Sequence, residues 1–354
     1  MLTYLTVFTV IALLGLSIPD RRSLATLLTI CLFMLWFMGA RYIVGCDFKA
    51  YFLRYHDILP GLYLTEIFGE QEPGFALMSA ILKTLGAHYM WVNICASALM
   101  VAGYFIFARA HRSPIMIIAL LFPVNIVQLG MSGIRQGVAV SALMVASVFF
   151  MKGRGWMTAL MIVLGAQFHS SLIMFLPLAF MAGRKVSIGR IVFGVLLLTP
   201  VAMYMLSDRL DVYADRYIEQ NFGAITSSGA VIRYAIIMIP QVFFLFYHRR
   251  IQEQFPEVYS LLKVFVIISF SLMPLAVFSS IALHRINFYV MPFSILSFVY
   301  LSWCIFPKRQ VLLGRAIPAM IYGTYQLTWF MTSSHAEACY IPYRSFSFLM
   351  LTGA

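Results

Sequence analysis

The sequence predicts an all-α, polytopic integral membrane protein with about 12 transmembrane helices, some short or broken, and three observations carry that expectation. Hydrophobic residues make up 62% of the 354 and charged residues only 11%. The interior of a soluble protein of this length cannot bury so much apolar material. Apolar runs approaching the ~20 residues that span a bilayer recur along the chain. Basic clusters separate them at Arg21/Arg22, Arg109/Arg112, Lys152/Arg154, Arg184/Lys185/Arg190, Arg249/Arg250 and Lys308/Arg309/Arg315.

The positive-inside rule assigns those clusters to the cytoplasm, so the net charge of +12 is mostly topological. They are scattered over short loops with no aromatic base-reading module between them, and nucleic acid is not an expected partner. With these loops inside, spans fall near 2–18, 23–40, 88–108, 114–131, 134–151, 156–167, 169–182, 191–207, 232–247, 260–281, 286–305 and 316–332, with both termini outside. The first segment lacks a basic leading stretch and is followed by Pro19-Asp20-Arg21-Arg22, so it reads as an uncleaved helix and not as a signal peptide. Residues 1–354 form a single multi-span domain in this reading, with substantial outer loops at about 41–73 and 208–231.

Two stretches depart from simple spans. Segment 74–86 is apolar but only about 20 Å long at the helical rise, and counting it as a crossing would put every later basic cluster outside. It reads as re-entrant or interfacial. The 156–182 stretch holds two short apolar halves between cytoplasmic loops, which predicts a pair of broken or tilted helices carrying His169 towards the outer side. Discontinuous backbone at membrane depth is tolerated only where protein or a watery cavity satisfies it.

The carboxylates segregate the other way. Asp47, Asp57, Glu66, Glu70, Glu72, Asp208, Asp211, Asp215, Glu219 and Glu337 fall outside, against Asp20, Glu253 and Glu257 inside. Any chemistry therefore faces outwards. The outer carboxylates show no metal-ligand spacing. Of the five cysteines, Cys31, Cys95 and Cys304 lie in apolar spans as small hydrophobes. Cys46 and Cys339 both fall outside, where an oxidising compartment permits a bridge, although sequence does not establish the close approach it needs. No Walker, dinucleotide-binding, zinc-protease or nucleophile-elbow motif is present, which leaves ATP-driven transport and common cofactor chemistry without support.

Two polar interruptions point to a site: Gly130-Met131-Ser132-Gly133-Ile134-Arg135-Gln136 and Gln167-Phe168-His169-Ser170-Ser171. Ionisable groups at membrane depth usually face a watery cavity or a substrate path. Arg135 opens an apolar helix after a Ser/Gly break, where backbone N–H groups and the helix dipole favour an anion. Its guanidinium suits phosphate, which it grips bidentately. The competing reading is an arginine that snorkels to the headgroups. For proton transfer the contenders are Asp47, Glu72 and His169, and the sequence does not choose among them. Asp47 and Glu72 alternatively pair with Arg41, Lys49 or Arg54, and His169 alternatively packs as a helix-bridging donor.

The ordered series Arg41…Gly45-Cys46-Asp47-x-x-x-Tyr51, Glu72-Pro73-Gly74-Phe75, Ser132-Gly133-Ile134-Arg135-Gln136-x-x-Ala139, Phe168-His169-Ser170-Ser171 and Arg285-x-x-x-Tyr289 resembles the EpsG family of Wzy-type polysaccharide polymerases. The resemblance spans most of the chain. It implies a glycosyltransferase of the cytoplasmic (inner) membrane, with its active site facing the periplasm or outside, that joins undecaprenyl-diphosphate-linked oligosaccharide repeat units into O-antigen, capsule or exopolysaccharide. It also implies no nucleotide or redox cofactor, and as partners the lipid-linked oligosaccharide, the growing glycan, membrane lipids, a chain-length regulator and a flippase.

On that footing His169, Asp47, Glu72 and Arg135 are the candidate catalytic residues. Arg41, Tyr51, Arg135, Gln136, Arg233, Arg285 and Tyr289 are the candidate substrate-binding ones. The other function classes are a lipid-linked oligosaccharide flippase or transporter, which needs no catalytic base, and a polysaccharide acyltransferase, which needs a donor path from the cytoplasm. The absence of matching sequence halves counts against a secondary transporter.

Overall fold

The computed structural model describes residues 1–18, 23–183, 189, 228–278, 280–307 and 310–346. Among them every regular element is a helix, and β pairing is limited to one antiparallel bridge between Arg41 and Ser345. The expected 191–207 span, nearly all of the 208–231 loop, and the clusters at Arg21/Arg22, Arg184/Lys185/Arg190 and Lys308/Arg309 lie outside the described residues. Four helices among the described residues are long and apolar enough to cross a bilayer: Met90–Arg109, Ile134–Met151, Gly229–Gln254 and Ala282–Ile305. Shorter apolar helices accompany them. The chain is a polytopic, all-α membrane protein.

The contacts group into two compact units, the first comprising Met1–Val145, Met161–Leu172 and Arg315–Ala354. In it run α1 (Leu2–Ser17), α2 (Ser23–Gly39), α3 (Phe48–Asp57), α4 (Leu64–Gly69), α5 (Pro73–Thr84), α6 (Met90–Arg109) and α7 (Pro114–Leu121). Helix α2 packs on α6 and α1 on α7. The expected outer loop 41–73 thus carries two helices, α3 and α4. Helix α5 is the short apolar segment, and Pro73 opens it, where a missing N–H costs nothing.

The expected 114–131 span is not one regular helix. After α7 the chain winds as a π-helix over Phe122–Leu129, fully buried and carrying Asn125 and Gln128, and then breaks at 130–133 before α8 (Ile134–Met151). π-Helical turns commonly accompany functional sites because they re-aim side chains. The 156–182 stretch is interrupted as expected: α9 (Gly155–Ala166) stops, residues 167–169 turn, and a 3-10 helix covers Ser170–Phe175. The expected 169–182 helix is therefore corrected to this 3-10 piece and a short α10 (Pro177–Met181), with Pro177 at the restart.

The second unit comprises Ala146–Leu160 and Ile173–Gly314. Its long helices are α11 (Ser228–Gln254), α12 (Pro256–Ser271) and α14 (Ser280–Ile305), with the short α13 (Leu275–Phe278) before the last. Helix α11 lies against α12 and α14. It ends where Phe255, at φ −139° and ψ 58°, precedes Pro256, because the proline ring excludes the helical conformation from its predecessor. The expected 260–281 span instead ends at Ser271 and is followed by a turn. Helices α15 (Val311–Thr332) and α16 (Ser334–Tyr340) follow, α16 being capped by the Ser333 hydroxyl, which accepts from the Ala336 N–H.

Candidate functional site

Within the first unit, two close backbone approaches build the site. Gly45 has φ +99°, a left-handed conformation that side chains disfavour, and a Cβ there would lie 1.9 Å from the Met131 carbonyl oxygen. Only glycine lets the 41–47 loop lie against the 130–133 break. Arg41 fastens that contact: its Nε donates to the carbonyls of Met131 at 3.1 Å and Val44 at 3.3 Å. Its Nη1 donates to the Met38 carbonyl and its Nη2 to Asn93 Oδ1 at 3.0 Å. From the other side Gly45 N–H donates to the Cys339 carbonyl at 2.7 Å, and a Cys46–Cys339 disulfide ties the loop to α16. Asp47 is held by Ser132, whose hydroxyl donates to Oδ2 at 3.2 Å. These anchors fix the start of α3, and with it Tyr51.

Gly74 makes the second approach. A Cβ on it would meet Gln167 Cβ at 2.8 Å, and its N–H donates to the Gln167 carbonyl at 3.0 Å. The N-terminus of α5 thereby docks onto the 167–169 turn and brings Glu72 against His169.

Four candidate residues converge there. Glu72 accepts from Arg135 Nη1 through Oε2 and lies 2.5 Å from His169 Nδ1 through Oε1. Arg135 Nε donates to Tyr51 Oη at 3.2 Å, and the guanidinium lies 5.5 Å from the Tyr51 ring centre and 5.9 Å from that of Phe75. The Glu72 side chain is 8% exposed, His169 19% and Arg135 32%, so the carboxylate is the buried member and the other two are partly accessible.

Burial alone would raise the Glu72 carboxyl. The hydrogen bond from His169 and the Arg135 charge outweigh it and hold the group below the usual carboxylate range. An ionised carboxylate can only accept, so His169 Nδ1 carries the hydrogen of this contact and donates to Glu72. Burial raises the Tyr51 phenol, which therefore stays protonated. Arg135 Nη2 makes no hydrogen bond among the described residues. The arrangement offers an oriented base, a buried carboxylate behind it, and a cation with donors to spare.

The remaining candidates are placed elsewhere. Arg41 is 1% exposed and donates to backbone carbonyls and Asn93, so in this structure it holds the loop. Gln136 is buried beside Arg135 on α8. In the second unit, Arg233 on α11 is buried, donates to His284 Nδ1 and lies 5.4 Å from the Phe288 ring. Arg285 is exposed, while Tyr289 is a core residue 5.3 Å from the Phe175 ring. Arg54 pairs with Glu70 at 2.8 Å, not with Asp47 or Glu72. Sequence reasoning misses Asn93, although an asparagine inside an apolar helix is itself a signal. Among the described residues no group of three or more His, Cys, Asp and Glu side chains is placed to hold a metal ion.

An all-α polytopic membrane protein with a carboxylate, an imidazole and a guanidinium gathered beside two interrupted helices is the class that fold and site define. Residues 24–345 match the model of the EpsG family, nearly the whole chain. The chain belongs to the EpsG family. Comparison with curated proteins and with solved structures gives no significant match.

Proposed function

We propose that this protein is a Wzy-type polysaccharide polymerase. It joins undecaprenyl-diphosphate-linked oligosaccharide units by glycosyl transfer at the outer face of the cytoplasmic membrane, in a chain of about 12 spans. The observation that carries the reading is the Arg135–Glu72–His169 cluster, in a chain of the EpsG family, a family associated with such polymerases.

His169 Nε2 takes the proton from the acceptor hydroxyl as its oxygen attacks the anomeric carbon of the growing chain. Glu72 orients the imidazole and stabilises the imidazolium that forms. The bond from that carbon to the lipid diphosphate breaks, and Arg135 Nη2, with the remaining Nη1 hydrogen, stabilises the departing anion. No nucleotide or redox cofactor is needed. Asp47 sits one step away on Ser132 and serves to place Tyr51.

The outward orientation draws support from the separation of acidic and basic loops and from the Cys46–Cys339 disulfide, which belongs to an oxidising compartment. A flippase supplies the lipid-linked units and a chain-length regulator sets when the product is released. The test is turnover of purified lipid-linked repeat unit into longer chains by the isolated protein, without ATP or an ion gradient. Movement of the unit across a bilayer with no lengthening would establish a transporter instead. Cysteine tags at Asp57 and Arg249 check the topology: the first should label from outside in intact cells, and the second should not.

A further inference from the structure

Beside the cluster lies a cavity of about 250 Å³, formed by α3, α4, α5 and α6. That volume is below the ~300 Å³ at the lower end of sites for drug-sized ligands, and suits one sugar ring better than a long oligosaccharide. Its walls carry Tyr51, Tyr55, Tyr63 and Phe75. Tyr51 is shared with the cluster through its hydrogen bond from Arg135, so the inner end of the cavity adjoins the candidate catalytic groups. At the outer end Tyr63 is 50% exposed, and its ring lies against Gly61, where a Cβ would come within 2.8 Å of it. Gly61 is itself tied to α5 by its N–H donating to the Thr84 hydroxyl at 2.9 Å. Tyr63 thus lines the cavity half-exposed, beside a glycine that α5 holds.

The polar lining is lopsided. Asp57, Glu66 and Glu70 face the cavity against one cation, Arg54, which is already committed to Glu70. Asp57 and Glu66 make no ion pair among the described residues. Carboxylates accept from sugar hydroxyls and attract an ammonium, while a carboxylate on the ligand would meet like charge along this wall, whose cation is already paired.

We infer that this cavity is a carbohydrate subsite that holds a neutral or amino-bearing pyranose of the acceptor glycan, stacked on Tyr63, and rejects uronic acids. The inference rests on the polymerase reading for the glycan nature of its ligand, but its test does not depend on turnover. Saturation-transfer NMR on the full chain in detergent, with methyl glycosides of N-acetylglucosamine, glucosamine and glucuronic acid as probes, should show contact with the first two and none with the third. Tyr63→Ala, at an exposed position, should weaken binding about tenfold and Tyr63→Trp should restore it. Asp57→Asn with Glu66→Gln should admit the uronide. Equal binding of all three glycosides, no binding of any, or indifference to Tyr63→Ala overturns the subsite. Glycoside binding as expected in a protein that never lengthens a lipid-linked unit counts against the polymerase reading alone. Normal lengthening by Tyr63→Ala with no glycoside bound counts against the subsite alone.

Discussion

Arg41 and Arg135 are both anchored around the 130–133 break, and the surroundings of their guanidinium groups differ completely. Arg41 is enclosed, and each of its three nitrogens donates, to three backbone carbonyls and an asparagine in all. Arg135 is a third exposed, meets one carboxylate and one phenol, and keeps Nη2 available. A buried charge bonded to carbonyls fixes a loop; a half-buried charge beside an ionised carboxylate and an imidazole can act on a substrate. The two residue types are identical, so the division of labour lies in which partners the fold supplies.

The largest effect expected from this contrast concerns the imidazole beside Arg135. His169→Gln should preserve folding and lipid-linked substrate binding while reducing polymer formation by ~10²–10⁴-fold, the usual contribution of a positioned general base. An active His169→Gln enzyme with an unchanged pH profile moves the base role to a carboxylate, which Asp47→Asn and Glu72→Gln measured in the same membranes would identify.

Arg135→Lys should slow turnover by about a hundredfold despite keeping the charge, because an ammonium cannot reproduce the planar fork. Normal polymerisation by this variant at wild-type expression would make Arg135 a structural charge.

Arg41→Met sharpens the comparison from the other side. It should act on stability, by about 1–3 kcal/mol for each buried carbonyl left unpaired, and show as a lowered Tm in detergent. Turnover per folded molecule should change far less than in Arg135→Lys.

Acid titration separates the two pockets further. The Glu72 carboxyl titrates below its ordinary value in the folded protein, so its contribution to stability is present above the ordinary carboxylate range and is lost as pH falls through the lowered value. Thermal melts of Glu72→Gln should therefore decline less steeply than wild type over that acid range; parallel declines would show that the Arg135–Glu72–His169 cluster is not linked to folding. The smallest effect is expected at the exposed Arg54–Glu70 pair, where Arg54→Ala should shift stability by only ~0.2–1 kcal/mol, an amount that added salt reduces.

Much of this molecule is legible along the chain. Apolar content and basic loops specify a multi-span helical membrane protein, and the breaks at 130–133 and 167–169 are visible as Gly, Ser and His inside apolar runs. The motif series also picks out Glu72, Arg135, His169 and Tyr51, and it leads to the family. Hydropathy, charge and helix-breaking residues are local properties, and a one-dimensional pattern reports them directly.

Pairings across the chain belong to the tertiary structure. Glu72 and His169 lie 97 residues apart in sequence, Arg41 and Met131 90, and Cys46 and Cys339 293. No periodicity or composition encodes such contacts. That Glu72 joins His169 to Arg135, and that Arg41 turns inwards although its motif resembles that of a binding residue, depend on where Gly45 and Gly74 let backbones meet. Close packing decides which polar groups are satisfied by protein, and those it leaves partly open are the ones able to do chemistry.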